Sequence, residues 1–235
     1  MLQVKNLTKI YKGGKKAVNN LSLRVEPGKI CGFIGQNGAG KTTTLKCIAG
    51  ILDFSEGEIW VDGNSIKQES IKCKKALAYV PDNPEIYENL TGIQYLNFIG
   101  NIYEIEKGTR NWFIKEYSDL FELTGALGSL ISSYSHGMKQ KLVLIGALLH
   151  KPKLLLLDEP FVGLDPIATH KLKEIMRMLC AGGSSIFFST HILEVAQKLC
   201  DEMTIIKNGR LVITGGTNQI IGNKSLEDLF LELVE

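Results

Sequence analysis

The chain is short of most features that would take it out of the ordinary globular class. Its longest purely apolar run, Leu142–Leu149, has eight residues, against the roughly 18 or more that a bilayer-spanning helix needs. No segment is therefore expected to cross a membrane. The opening MLQVKNLTKIYKGGKK has no apolar stretch ahead of a small-residue cleavage site, so no signal peptide is expected. Cysteine is sparse: Cys31, Cys47, Cys73, Cys180 and Cys200 are odd in number and scattered, with no C-x-x-C pair. That argues against a disulfide frame or a zinc site and for buried, reduced thiols in a cytosolic protein. Net charge is small, 27 Lys+Arg against 25 Asp+Glu for +2, which argues against an overall basic nucleic-acid binder and an acidic disordered tail. Lys12-Gly13-Gly14-Lys15-Lys16 and Lys72–Lys75 are short clusters that read as solvated faces. There is no low-complexity stretch and no internal repeat.

What is present suits one large domain with a subdomain inserted: 235 residues, 44% hydrophobic and 8% aromatic. Strand-like and helix-like runs alternate, the pattern of an α/β core. Leu2–Leu7, Val18–Val25, Ile30–Ile34, Leu77–Val80, Leu154–Leu157, Ser184–Ser189 and Met203–Ile206 read as strands. Glu58–Val61 with Asp62-Gly63 reads as a hairpin edge, and Asn208-Gly209 joins a further hairpin to Leu211–Ile213. Helices are expected from Lys41 to Ala49, from a Ser135 cap to about Leu149, and over Pro166–Cys180 with proline in the first turn. Between about Glu85 and Ser133 the spacing turns helical. Thr91 can cap a helix carrying Ile93, Leu96, Ile99 or Ile102, and Tyr103, and Trp112, Phe113, Tyr117, Leu120 and Phe121 mark a second helix as core. Ser225-Leu226-Glu227-Asp228 resembles a capping box that opens a last short helix.

Gly35-Gln36-Asn37-Gly38-Ala39-Gly40-Lys41-Thr42 fits G-x-x-x-x-G-K-[ST] between a buried strand and a helix. The glycines allow backbone N–H groups to converge on phosphate oxygens, and the helix N-terminus adds positive potential. Lys41 is expected to reach the β- and γ-phosphates and Thr42 to offer a hydroxyl to Mg²⁺. Asp158-Glu159 follows the apolar strand Leu154–Leu157, where ligands of open α/β sheets lie. Asp158 is expected at Mg²⁺ and Glu159 at the attacking water. Lys41 and Asp158 are 117 positions apart (158 − 41), a gap that the helical insert explains.

Four further stretches carry a resemblance. Tyr134-Ser135-His136-Gly137-Met138-Lys139-Gln140 is similar to the L-S-G-G-Q signature, Val162-Gly163-Leu164-Asp165 to the D-loop, Ser189-Thr190-His191 to the switch histidine, and Tyr11 stands where an aromatic meets adenine. With the phosphate loop and acidic pair, these motifs from Leu2 to about Gly216 identify the chain as a member of the ATP-binding cassette (ABC) family.

The resemblance implies a P-loop NTPase of RecA-like parallel core sheet with an N-terminal antiparallel β subdomain. The core would span 1–84 and 136–216, the helical insert 85–135 and a helical tail 217–235. ATP and Mg²⁺ are the implied cofactors. The implied ATP-binding set is Tyr11, Gly35, Gln36, Asn37, Gly38, Ala39, Gly40, Lys41, Thr42 and Thr43, with Lys41, Glu159 and His191 catalytic and Thr42, Asp158 and Asp82 at the metal. Ser135, His136, Gly137 and Met138, with Ser135 and Gly137 placed before a helix, would act on the γ-phosphate held by a second cassette, identical or related, and Asp165 belongs to the D-loop.

The implied activity is ATP hydrolysis driving transport through separate transmembrane permease subunits. The chain would sit peripherally at the cytoplasmic face of the membrane, in a bacterial, export-type (ABC-2-like) system. The loop Asn83–Leu90 and the following helix, with Ile86, Tyr87, Leu90, Tyr95 and Phe98, would form an exposed groove for the permease, or else only pack the subdomain.

Two alternatives are weaker. A soluble cassette acting on DNA or the ribosome usually carries a long coiled-coil insert or a second cassette, and 235 residues hold neither; no nucleic acid partner is expected. A GTPase or small-molecule kinase lacks support, since Asn223-Lys224-Ser225-Leu226 has no acid to complete a guanine reader.

One departure stands out: Asp82 occupies the place of the family's glutamine and cannot donate a hydrogen bond while ionised, so the metal dependence or the coupling to the permease is expected to change. His136 replaces the first signature glycine and reads as a tolerated variant, His150 as a helix-end residue where positive charge is welcome, and His170 as solvated.

Overall fold

The computed structural model describes residues 1–222 and 224–234. Asn223, of the stretch tested as a guanine reader, and Glu235, the last tail residue, lie outside the described residues. In chain order the elements are β1 (Leu2–Ile10), β2 (Lys16–Val25), β3 (Ile30–Ile34), α1 (Lys41–Ile48), β4 (Glu56–Val61), β5 (Asn64–Ser65), α2 (Ser70–Ala76), β6 (Leu77–Val80), α3 (Gly92–Ile102) and α4 (Lys107–Leu120). They continue with α5 (His136–Leu148), β7 (Leu154–Asp158), α6 (Pro166–Ala181), β8 (Ser185–Thr190), α7 (Leu193–Leu199), β9 (Glu202–Lys207), β10 (Arg210–Gly216), α8 (Thr217–Ile221) and α9 (Leu226–Val234).

Two sheets form. A four-stranded antiparallel sheet runs β2-β1-β4-β5, and a six-stranded sheet runs β10-β9-β3-β8-β7-β6. The larger sheet is parallel except for the β9–β10 hairpin. Its strands β3, β7 and β8 are buried at every position and carry continuous apolar runs because both faces are covered. Alternate residues then serve different cores. Leu154 and Leu156 of β7, Phe187 of β8 and Phe33 of β3 pack with α1 and the small sheet. Leu155, Leu157, Phe188 and Ile34 face the other way, toward the helical insert, α5 and α6. Cutting Leu156, which is fully buried, to alanine should cost about 2–5 kcal/mol.

The insert follows its caps. Thr91 and Gln94 form a capping box at α3: Gln94 N–H donates to Thr91 Oγ1, and Thr91 N–H to Gln94 Oε1. Of the two candidates for one face, Ile99 packs against the core while Ile102 is 53% exposed. Phe113, Tyr117 and Phe121 are core, but Trp112 is 59% exposed; α4 turns it outward, so one member of the aromatic cluster is corrected. The expected capping box at Ser225 is half present: Asp228 N–H donates to Ser225 Oγ, and the Ser225 hydroxyl donates to Asp228 Oδ2 at 2.6 Å.

The helices α2 and α7 were not expected. α2 carries the Lys72–Lys75 cluster on a solvated face around buried Cys73. All five cysteines are buried and unpaired, and burial pushes the Cys31 thiol up to about 12.

His150 corrects another expectation. Its Nε2 lies 3.2 Å from Leu77 O, and its ring stacks on Tyr103 at 3.7 Å between centroids. Burial lowers its pKa below the ordinary 6.5. The apolar surroundings favour neutral imidazole there, and desolvation outweighs the attraction of a helix C-terminus.

Candidate functional site

Three strand ends meet at one edge of the large sheet. Ile34 pairs with Thr190, and Asp158 with Ser189. The loop after β3, the acids at the end of β7 and His191 after β8 are thereby brought together beyond the carboxyl ends of the strands.

The phosphate loop needs glycine at two points. Gly38 and Gly40 have φ of +82° and +104°, a region that L side chains rarely enter. At Gly40 a Cβ would also lie 2.5 Å from Ala17 O. Lys41 begins α1 and is 6% exposed. Its ammonium donates to Gly35 O at 2.7 Å and Gln36 O at 3.3 Å, and lies 3.5 Å from Glu159 Oε1.

A cavity of about 440 Å³ opens here, lined by Asn37, Gly38, Gly40, Lys41, Thr42 and Thr43, with Asp82 and Glu159 at its acidic side. That size suits a small ligand. Tyr11 lines the opposite side, 39% exposed, with its hydroxyl 3.2 Å from Thr43 Oγ1 and the Lys9 ammonium 5.3 Å from its ring centroid. Gly35 and Ala39 do not line the cavity. Gly35 is pressed against Ile206 O, and the buried Ala39 packs within the loop.

The acidic side is built by β7 and β8. Asp158 is 1% exposed and accepts from Ser189 Oγ at 2.5 Å and from Tyr79 Oη at 3.5 Å. Burial, then the Asp158 charge, raises the Tyr79 pKa, so the phenol stays protonated and able to donate. Glu159 has φ of +47°. Such strain costs about 1–3 kcal/mol and persists only where its surroundings hold it. Its N–H points to Ser189, with O at 3.2 Å and Oγ at 3.0 Å, and its Oε2 lies 2.9 Å from His191 Nδ1.

Glu159 Oε1 is buried and accepts no hydrogen bond; its charged neighbour is the Lys41 ammonium, at 3.5 Å. An acceptor left this way is costly unless something supplies a proton. An acceptor aimed into a glycine-lined cavity beside a lysine fits a triphosphate with an attacking water. Thr42 adds a hydroxyl and Asp82 a second carboxylate to the cavity, while Asp158, 1% exposed, does not itself line it. Mg²⁺ typically binds through one or two carboxylates plus substrate phosphates, so the donor set suits that ion.

Asp82 reaches the same cavity. Its pKa is raised, first by desolvation, then by the like charges of Asp158 and Glu159, while His136 and His191 oppose the rise.

The signature residues lie elsewhere. Ser135 caps α5, its Oγ accepting from Met138 N–H at 3.3 Å. His136, Gly137 and Met138 lie inside the first turn of α5, so Gly137 is not ahead of the helix as expected. None of the four lines the phosphate-loop cavity. Ser135 and His136 are exposed. His136 instead lines a separate cavity with Asn83–Glu88 and Lys139. The turn rests on the D-loop: a Cβ on Gly137 would meet Gly163 O at 2.7 Å, and one on Gly163 would meet His136 Cδ2 at 2.6 Å. Asp165 caps α6 through Ala168 N–H at 2.8 Å and pairs with Lys141 at 2.7 Å; the Lys141 hydrogen bond, then the cap, lowers its pKa. Of the expected groove, Tyr87 and Phe98 are exposed and meet edge to face, whereas Tyr95 is 8% exposed and belongs to the core.

Sequence reasoning missed Lys15, Lys16 and Asn208, which also line the phosphate-loop cavity. The lysines were read as solvated, and their position four and five residues after Tyr11 was the available signal. Nothing in sequence ties Asn208 to the loop, because only the sheet order brings β9 beside β3.

Fold and site together define a nucleotide-binding P-loop protein of α/β class. A profile of the family described as "ABC transporter" matches residues 18–162. The ABC-type transporter ATP-binding protein EcsA of Bacillus subtilis is 35% identical over 240 residues, covering 100% of this chain and 97% of that one. The ABC transporter ATP-binding protein NatA of the same organism is 33% identical, covering 91% and 87%. A solved structure described as the ATP binding subunit of an ABC transporter superposes with a TM-score of 0.94 at 34% identity, covering 99% of each chain. The fold alone is shared with a cassette, MJ0796, solved as a dimer bound to ADP and Pi, at a TM-score of 0.83 and 22% identity over 92% of this chain and 99% of that one. The chain belongs to the ATP-binding subunits of ABC transporters.

Proposed function

We propose that this chain binds and hydrolyses ATP as one half of a two-cassette clamp that drives separate permease subunits. One observation carries the clamp: the Ser135–Met138 turn is presented outward and lines no part of the cavity that holds Lys41 and Glu159. A helix N-terminus with a free hydroxyl proton and amide groups is an anion-binding surface. Its partner would be the triphosphate on a second cassette, in a head-to-tail isologous pair.

In this reading the loop amides and Lys41 bind the β- and γ-phosphates, and Tyr11 stacks on the base. Thr42 and Asp158 would hold Mg²⁺, with Asp82 beside them; the ion would neutralise phosphate charge. Glu159 orients the water and accepts its proton as the water oxygen bonds to the γ-phosphorus. The bond from that phosphorus to the bridging oxygen breaks, releasing ADP and phosphate. His191 holds the Glu159 carboxylate in position.

ATP favours closed cassettes and hydrolysis the open ones, which shifts the permease between states. No helix among the described residues is long and apolar enough to span a bilayer, so attachment to a membrane would come through the permease. Outward transport is supported by a relative named linearmycin resistance ATP-binding protein, from Bacillus subtilis, 34% identical over 92% of this chain. Removing a harmful compound from the cell gives resistance.

Glu159→Gln tests the chemistry. It keeps the shape and removes the base, so ATP binding should persist while turnover falls roughly 100-fold or more. Turnover at the wild-type rate would show that Glu159 is not the base.

A further inference from the structure

The hairpin turn between β9 and β10 reaches back to the phosphate loop. Asn208 and Gly209 have φ of +51° and +74°, the left-handed pair that a tight two-residue hairpin requires. Gly209 N–H donates to Ala39 O at 2.8 Å, inside the phosphate loop, and Gly209 O accepts from Asn19 N–H of β2 at 2.8 Å. Gly209 is buried, and a Cβ there would lie 2.6 Å from Ala17 O. β2, the turn and the phosphate loop thus interleave by backbone. On the outside, with the Asn19 amide oxygen facing the guanidinium, Asn19 Oδ1 accepts from Arg210 Nε at 2.7 Å and Nη2 at 2.8 Å. Asn208 lines the phosphate-loop cavity.

We propose that the Asn208–Arg210 turn is a positioning element for nucleotide binding, with the Arg210–Asn19 pair as the catch that holds it in place. The inference rests on the reading of this cavity as the triphosphate site. Ala39 C=O and Gly40 N–H belong to one planar trans peptide unit. Gly209, by holding the carbonyl, aims the Gly40 N–H the opposite way, on the side where Gly40 lines the cavity. A loop with glycine at φ of +82° and +104° has little stiffness of its own. Amides that must converge on phosphate gain from being fixed beforehand, since otherwise binding must order them. The turn supplies that fixity from a strand about 170 residues further along the chain (209 − 39).

Arg210 is exposed, so Arg210→Ala opens the catch without a clash, and Asn19→Leu opens it from the other side. Titration with a fluorescent ATP analogue should show affinity weakened roughly three- to tenfold in each single variant, and no further in the double, since both act on one pair. Asn19→Asp, which keeps an acceptor facing the guanidinium, should retain wild-type affinity. Melting midpoints should stay within about 2 °C, as for other surface substitutions, and the KM for ATP should rise with kcat unchanged. Hydrogen exchange at Gly209 N–H should slow on adding the analogue. Unchanged affinity in both single variants would overturn the proposal, as would kcat and melting point falling together with affinity. A wild-type chain that fails to bind the analogue would instead overturn the reading of the cavity itself, and the proposal with it.

Discussion

The phosphate loop and the Ser135–Met138 turn each open a helix with glycine close by, and the chain encloses only the first. The phosphate loop is enclosed: Lys41 is 6% exposed, Gly40 is pressed against Ala17 O, and Gly209 holds Ala39. Its cavity carries cations, hydroxyls and carboxylates on facing walls. The Ser135–Met138 turn is supported from behind, by the D-loop at Gly163 and by Met138 against the core, and Ser135 and His136 are exposed at its front. A binding surface packed on every side is finished by its own chain. One that is packed behind and bare in front is shaped for another molecule.

The largest break in that contrast should come from Lys41→Ala. Removing a buried ammonium from a phosphate site forfeits charge-assisted hydrogen bonds, so ATP affinity should fall roughly 100-fold, about 2.7 kcal/mol. Titration with a fluorescent nucleotide would read it; a change under threefold would deny the loop its role. Gly137→Ala acts on the other turn. Its Cβ would come within 2.7 Å of Gly163 O, so the D-loop must shift. Nucleotide binding should be kept while hydrolysis drops by about tenfold, an effect of near 1.4 kcal/mol. Equal losses in both would erase the distinction between the turns.

Asp82→Gln is a smaller change at the enclosed site. Losing a carboxylate crowded by Asp158 and Glu159 should shift the Mg²⁺ concentration for half-maximal hydrolysis by about two- to fivefold. An identical Mg²⁺ profile would remove Asp82 from the metal's surroundings.

The smallest effect lies away from both turns. The depressed pKa of His150 means that the unfolded chain takes up a proton the folded chain resists. His150 therefore lends stability in full above pH 6.5, and this is lost as pH falls through the lower folded value. His150→Phe keeps a ring against Tyr103 and loses the hydrogen bond to Leu77 O, so it should cost about 1 kcal/mol at pH 7.5. The gap to wild type should close on acidification, measured by urea unfolding at several pH values. A gap independent of pH would contradict the burial argument.

The contrast also explains what could be read from sequence. β7 and β8 were legible because strands covered on both faces carry continuous apolar runs, Leu154–Leu157 and Ile186–Phe188, and the phosphate loop was legible because glycine, lysine and threonine spacing is dictated locally. Caps at Thr91 and Ser135 announced α3 and α5, and proline in the first turn announced α6. α7 was hidden because Ile192 at its start offers no side-chain cap, and α2 because its lysines mask a single buried cysteine. Trp112 was misplaced because helical spacing identifies a face without saying which neighbour covers it. Lys15, Lys16 and Asn208 were missed for a deeper reason. They join the cavity through β1–β2 and β9–β3 pairing, which is a property of the folded sheets.

The central claim is that neither cassette alone holds a complete hydrolytic centre. Its most direct test is light scattering on the Glu159→Gln chain with and without ATP, repeated with Ser135→Ala and Gly137→Ala added, alongside ATP hydrolysis by that pair of substitutions in the otherwise wild-type chain. The account predicts an ATP-dependent dimer for Glu159→Gln, a monomer once Ser135 and Gly137 are altered, and hydrolysis lost with the dimer. A protein that stays monomeric with both residues altered, yet hydrolyses ATP at the wild-type rate, would contradict it.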